Sequence, residues 1–252
     1  MVRFQKGALH DINLARAASD PKYAIYDGDF FTKLGVTNGN TLGGYISTVD
    51  AGGTLVLEAQ TPGIALQIGT DGDDNDDSFL ARQPAIGAFD ITLNSGRVVA
   101  YECRAKVVQG AEVAVFFGLA QPGLGANTLV DSTGALGDFD FVGFHAAMHA
   151  TDVNIDGVVR LSGAAATALA EDLSEDEDDA FNTYGFRFDG GTKLEWYFNN
   201  EKIATQTLAA ASCPTGQALT PIFDVKTGEA VEKDLTIDYW QCVEMLLAGD
   251  SD

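Results

Sequence analysis

A chain of 252 residues with 46% hydrophobic residues, 28 Gly spread between the apolar runs and only 6 Pro is long enough for one large all-β domain, and is neither collagen-like nor low-complexity. Its 37 acidic residues against 15 basic ones give a formal charge of −22, which repels nucleic-acid phosphates and anionic lipid, so neither nucleic acid nor a membrane is an expected partner. Cys103, Cys213 and Cys242 form no close-spaced pair, and their odd number argues against a disulfide framework and for buried free thiols made in a reducing compartment.

Residues 1–22 lack the uninterrupted apolar core of a signal peptide, and no apolar run reaches membrane-spanning length. With Phe4, Leu9, Ile12 and Leu14 set among polar neighbours, this segment is expected to be an extended arm. It packs along its own domain or reaches onto a neighbouring subunit, and these four side chains are its expected capsid or subunit contacts under the reading developed below. Residues 23–245 form the expected sandwich domain and 246–252 an acidic tail. From KYAIYDGDFF through the Asn38-Gly39-Asn40 turn to TLGGYISTVD, GGTLVLEAQ and GIALQIGT, the chain turns about every ten residues, the spacing of a sandwich or barrel.

Residues 71–77 hold five aspartates in seven positions. Such a loop can hold Ca²⁺ through oxygen ligands, but the favoured reading is a mobile surface loop extended by charge repulsion. A second stretch, Asp152-Val153-Asn154-Ile155-Asp156-Gly157, begins like a helix-loop-helix calcium loop, then places Gly163 where the bidentate Glu belongs. It is read as strand and turn, and no metal or cofactor is expected.

The cleanest alternation is RVVAYECRAKV, with Val99, Tyr101, Cys103, Ala105 and Val107 on a buried face and Glu102, Arg104 and Lys106 on a wet one. EVAVFFGLA, nearly continuous in apolar residues, predicts a strand covered on both sides, and a glycine-rich excursion then leads to FDFVGFHAAM. Residues 164–180 predict an exposed loop with at most a short helix. In 181–208, Tyr184, Phe186 and Phe188, then Leu194, Trp196 and Phe198, mark the buried faces of a three-strand meander closed by Asp189-Gly190-Gly191 and Asn199-Asn200. This sheet is expected to pack on the one that holds Tyr101 and Cys103. A strand at LTPIFDV, a turn at Lys226-Thr227-Gly228 and a last strand LTIDYWQCVEM complete the domain. In the last strand Trp240 falls on the outer side with Thr236, Asp238 and Glu244, and Tyr197 is likewise outward in its strand.

Chemistry is sparse. The neutral-pH bases are His10, His145 and His149, with no HExxH, GxSxG or phosphate-binding loop beside them. Sandwich glycosidases need an alternating pair of acids, and the nearest match, Asp138-Phe139-Asp140-Phe141, lacks a glutamate at either end. The chain is expected not to be an enzyme.

In order, YDGDFF, VVAYECRAKV, VFFGLA, DFVGFH, YGFRFDGGTKLEWYFNNEKIAT and LTPIFDVKTGEAVEKDLTIDYWQC resemble a family of tailed-bacteriophage structural proteins with a concanavalin A-like jelly-roll fold. The resemblance implies an all-β, two-sheet antiparallel jelly-roll sandwich of the lectin and glucanase type, used for assembly. It covers roughly residues 23–245, and neither the metal-binding set of plant lectins nor the glycosidase acid motif can be placed. Charge of −22 suits the outside of a capsid better than its DNA-facing side. The leading expectation is a decoration protein on the outer capsid surface, made in the host cytoplasm, with the major capsid protein and neighbouring copies of itself as partners. The alternative is a module that recognises host surface glycan, with Tyr197 and Trp240 as the glycan or partner contact.

Overall fold

The computed structural model describes residues 23–29, 45–60, 63–82, 89–107, 112–125, 129–148, 154–165, 167–171 and 180–246. The arm contacts Phe4, Leu9, Ile12 and Leu14, the turn at 38–40, His149 and the tail from 247 lie outside them. In chain order the strands are β1 (Tyr23–Asp29), β2 (Tyr45–Val49), β3 (Thr54–Gln60), β4 (Gly63–Gly69), β5 (Asp77–Arg82), β6 (Phe89–Asp90), β7 (Arg97–Val107) and β8 (Val113–Ala120). The second half holds β9 (Phe141–Ala146), β10 (Asp156–Arg160), β11 (Thr167–Ala170), β12 (Asn182–Phe188), β13 (Lys193–Phe198), β14 (Glu201–Thr207), β15 (Ala218–Thr227) and β16 (Asp234–Leu246).

They pair antiparallel into two sheets of eight strands. Sheet A runs β14-β13-β12-β7-β16-β4-β3 with β1 also on β16, and sheet B runs β11-β10-β9-β8-β15-β5-β2 with β6 on β15. The expected all-β two-sheet sandwich is therefore the fold. Period-two alternation supplies the core between the sheets: Tyr101, Cys103, Tyr184, Phe186 and Trp196 of sheet A are fully buried against Phe117, Phe144 and Phe223 of sheet B. Ring centroids of Tyr184 and Phe117 lie 5.0 Å apart and those of Trp196 and Phe144 5.4 Å, so aromatic edges and faces interlock across the interface. Cys103 and Cys242 sit in this core as free thiols, as expected.

The meander forms where the sequence placed it. Asp189 Oδ1 accepts from Gly191 N and Lys193 N while Gly190 takes φ +79°, and Asn199 and Asn200 both take positive φ, the left-handed pair a two-residue hairpin turn needs. Its partner sheet is different from the expected one. β12 is hydrogen-bonded directly to β7, with Phe186 opposite Tyr101 and their rings stacked at 5.2 Å, so Tyr101 and Cys103 belong to the meander's own sheet. Alternation fixes which face a residue takes but not which sheet its strand joins. Three other expectations change. Thr167–Ala170 pairs with β10 as a strand instead of lying in a loop, and β15 continues through Lys226 and Thr227 before turning. Glu102 on the nominally wet face of β7 is fully buried, as is Ala100 beside it.

The described parts of the excursion, 121–125 and 129–140, lie over the outer face of sheet B. Phe79, Phe116, Phe141 and Ile222, which alternate with core residues along their strands, form a second apolar cluster with Leu129 and Val130. This is why β8 is buried on both faces, as its continuous apolar run predicts. Beneath the excursion Gly118 and Gly143 face each other across β8 and β9. A methyl group on Gly143 would stand 2.7 Å from the Phe117 carbonyl oxygen and 2.9 Å from Phe116 Cζ. Gly143→Ala should therefore destabilise by about 1–3 kcal/mol through overpacking, read as a lower urea midpoint at unchanged m-value.

Candidate functional site

The acidic loop is folded rather than extended. Asn75 N donates to Thr227 O and Thr227 N to Asp76 O, while Asp77 N donates to Asp50 Oδ2, which pins the loop to the ends of β2 and β15. One carboxyl oxygen from each of Asp71, Asp73 and Asp76 lies within 4.8 Å of the others, a spacing a hard cation could bridge. A shared proton relieves the same repulsion. Asp76 is pushed up to about 6 by partial desolvation and by its hydrogen bond with Asp71, whose own carboxyl is held low by that bond and by Asp73 N–H.

A sharper cluster lies just inside. Ile222, Asp224 and Lys226 alternate with Phe223 and Val225 along β15, so the two charged residues point out of sheet B into the cluster roofed by Leu129 and Val130. Asp224 and Asp77 are fully buried, and Lys226 nearly so, with its Nζ 3.7 Å from Asp77 Oδ2. Neither Asp224 oxygen has a well-aligned hydrogen-bond partner. Burial and the neighbouring Asp77 push the Asp224 carboxyl well above its ordinary range. The signal in the sequence was an acid and a base set two apart inside an apolar run, IFDVK, followed by no feature that marks them as buried.

On the outer face of sheet A, Glu102 Oε1 accepts a hydrogen bond from the Tyr239 hydroxyl at 3.0 Å while Oε2 is buried without a partner. Desolvation raises its carboxyl to about 7. A carboxyl raised in the folded state contributes stability that is present below its ordinary value of about 4.3 and is lost as pH rises through the folded value. Glu102→Gln mimics the protonated form, so it should be neutral near pH 4 and stabilising, by on the order of 2–3 kcal/mol, near pH 9. Paired urea melts at the two pH values measure this.

Three other acids and bases singled out in the sequence, Asp138, Asp140 and His145, hold parts of the scaffold together. Asp138 pairs with Arg160 at 3.0 Å and accepts from Gly163 N, and Asp140 accepts from Ser162 N, so the segment nearest to a glycosidase motif holds the turn after β10. His145 Nε2 lies 2.9 Å from Gly134 O, and since the carbonyl only accepts, Nε2 carries the proton. Burial lowers this imidazole to about 4. Gly157, from the calcium-like stretch, lies in β10 with its Cα against the Trp196 ring, in agreement with a strand reading.

The two expected contact aromatics are not open. Asp238 is an extra residue between the pairs Ile237↔Ala105 and Tyr239↔Arg104, and this bulge reverses the faces of all that follows in β16. Trp240 is consequently fully buried in the core, where its Nε1 donates to the Tyr45 hydroxyl at 3.0 Å. Tyr197 does face away from the core, but that side of sheet A is itself covered around Ala100, Glu102 and Val243, and only 3% of Tyr197 is exposed. Its hydroxyl donates to Glu195.

No family model matches the sequence, and no curated protein matches it. Among solved structures the fold is similar to the Emp47p carbohydrate recognition domain, at 12% identity over 81% of this chain and 90% of that one with a TM-score of 0.52. It is also similar to peanut lectin, at 13% identity over 90% and 99% with a TM-score of 0.51. A third is Rv0315, an immunostimulatory antigen and pseudo β-1,3-glucanase of Mycobacterium tuberculosis, at 8% identity over 71% and 74% with a TM-score of 0.50. These likenesses establish a lectin-like sandwich.

Proposed function

We propose that the chain is a non-catalytic structural protein of a tailed-bacteriophage virion, attached to the outside of the capsid by non-covalent contacts with the major capsid protein and with neighbouring copies of itself. The observation that carries this reading is the character of the open apolar surface. Among the described residues the large exposed apolar side chains are Val56, Ile203 and Val231, at 44%, 44% and 50% exposure. All are aliphatic. Val56 lies on β3 and Ile203 on β14, the two outermost strands in the order of sheet A. Exposed sheet edges carrying aliphatic side chains suit docking to another protein, and the charge of −22 suits an outer surface.

Glycan recognition is the second reading, supported by the fold shared with the Emp47p carbohydrate recognition domain and peanut lectin. Sugar recognition commonly uses an exposed aromatic face, and Trp240 and Tyr197 do not supply one. The non-catalytic reading is supported by a His145 held neutral under a carbonyl and by the carboxyl pair of Asp77 and Asp224 sealed from solvent. Co-sedimentation with purified capsids separates the readings. The full chain should pellet with capsids and a variant lacking residues 1–20 should not, with a glycan array showing no specific signal for either. Array binding without capsid binding would reverse the order of the two.

A further inference from the structure

We propose that residues 129–140 form a closable flap over sheet B, that its latch is the buried Asp224 carboxyl, and that a rise in pH opens it. The flap is a small hairpin in its own right. Val130 pairs with Leu136, Gly137 N donates to Leu129 O at 2.8 Å, and Asp131 N donates to Ala135 O at 2.9 Å. Its polar ties to the sheet include His145 Nε2 to Gly134 O at 2.9 Å and Arg160 Nη1 to Gly137 O at 2.9 Å. Leu129 and Val130 close over an aromatic floor of Phe79, Phe116 and Phe141.

Directly below Val130 sits Asp224, whose carboxyl is approached by the Val130 N–H and by the Asp77 carboxyl, neither of them in good hydrogen-bond alignment. In the closed state an ionised Asp224 would be dry and beside Asp77 on β5, and the nearby cation among the described residues is Lys226 of β15. The other charged groups on this face are Asp131 of the flap, which Lys226 influences, His145 of β9, and Asp156 and Arg160 of β10 beyond it. His145 changes charge near 4 and stays neutral above that, so it supplies no alkaline response. A protonated Asp224 fits the closed site; an ionised one is better solvated with the flap lifted. Closing therefore binds one proton. Between the carboxyl's value with the flap open and its higher value with the flap closed, closure should weaken tenfold per pH unit, and opening would bare the three phenyl rings.

Hydrogen exchange of the flap amides in the full chain, followed from pH 5 to 9 and corrected for intrinsic exchange, tests this. The expected result is protection that falls up to tenfold per unit within that range, while Asp224→Asn removes the slope and keeps the flap protected throughout. Equal protection at all pH values in the wild type, or an unchanged slope in the variant, overturns the proposal. Infrared titration of a Glu102→Gln chain, which lacks the other carboxyl raised to about 7, gives an answer that does not depend on Asp224→Asn folding. It should show a buried carboxyl, distinct from that of Asp76 near 6, that ionises over the same range in which protection falls, and an ionisation displaced from that range overturns the latch.

Discussion

Trp240→Ala should cost about 3–5 kcal/mol of folding free energy, the usual loss when a large buried aromatic side chain is truncated. For a domain of this size that is a fall in melting temperature of roughly 6–20 °C. The indole fills the space between the sheets, with the Phe223 ring centroid 6.2 Å away and that of Tyr45 at 6.5 Å in an edge-on arrangement. Its Nε1 bond to the Tyr45 hydroxyl ties β16 of sheet A to β2 of sheet B. Trp240→Phe keeps much of the packing and gives up this hydrogen bond, so about 1–2 kcal/mol is expected. A surface stacking platform would behave in the opposite way, with its melting temperature unchanged by truncation. Thermal melts of the two variants beside the parent therefore test the bulge at Asp238, on which the burial of Trp240 depends.

Lys226→Met should be the most damaging charge change among the described residues, at about 3–5 kcal/mol near pH 8. It leaves Asp77 and Asp224 buried with no cation between them. The pH dependence has a definite sign. The Asp224 carboxyl is raised in the folded state, and Lys226 is the charge that restrains that rise. Stability in the parent should fall as pH increases above the ordinary carboxylate range, and in Lys226→Met it should fall more steeply, because the proton is then the only means of neutralising the pair. Near pH 5 the variant should recover a large part of the loss. Urea melts at pH 5 and pH 8 measure this, and a loss independent of pH would mean that packing, not charge, is what Lys226 supplies.

Much of the fold was legible because strand faces have a period of two and turns have chemical signatures. Tyr184, Phe186 and Phe188 took the buried face their spacing assigned, and Asn199-Asn200 made the turn its left-handed tolerance allows. The misreading of Trp240 has the same root. One extra residue in a strand inverts every later position, and a bulge is decided by the neighbouring strand's register, which no local pattern carries. Sheet membership was hidden for a related reason, since pairing β7 with β12 joins segments about eighty residues apart. The acid and base of IFDVK read as ordinary polar residues because their burial comes from a flap ninety residues upstream. Its glycines, Gly134 and Gly137, look like loop residues and give no sign that the loop roofs a sheet.

The sandwich, its acidic charge and its aliphatic edges support the proposed assembly role on the outer surface of a capsid. Cryo-microscopy of particles purified from cells that make this chain tests that role directly. The account predicts density for a two-sheet sandwich on the outer face of the shell, in copies related by the capsid symmetry, with residues of the N-terminal arm against capsid subunits. Absence of the chain from the shell, or its presence at the tail tip alone, would contradict it.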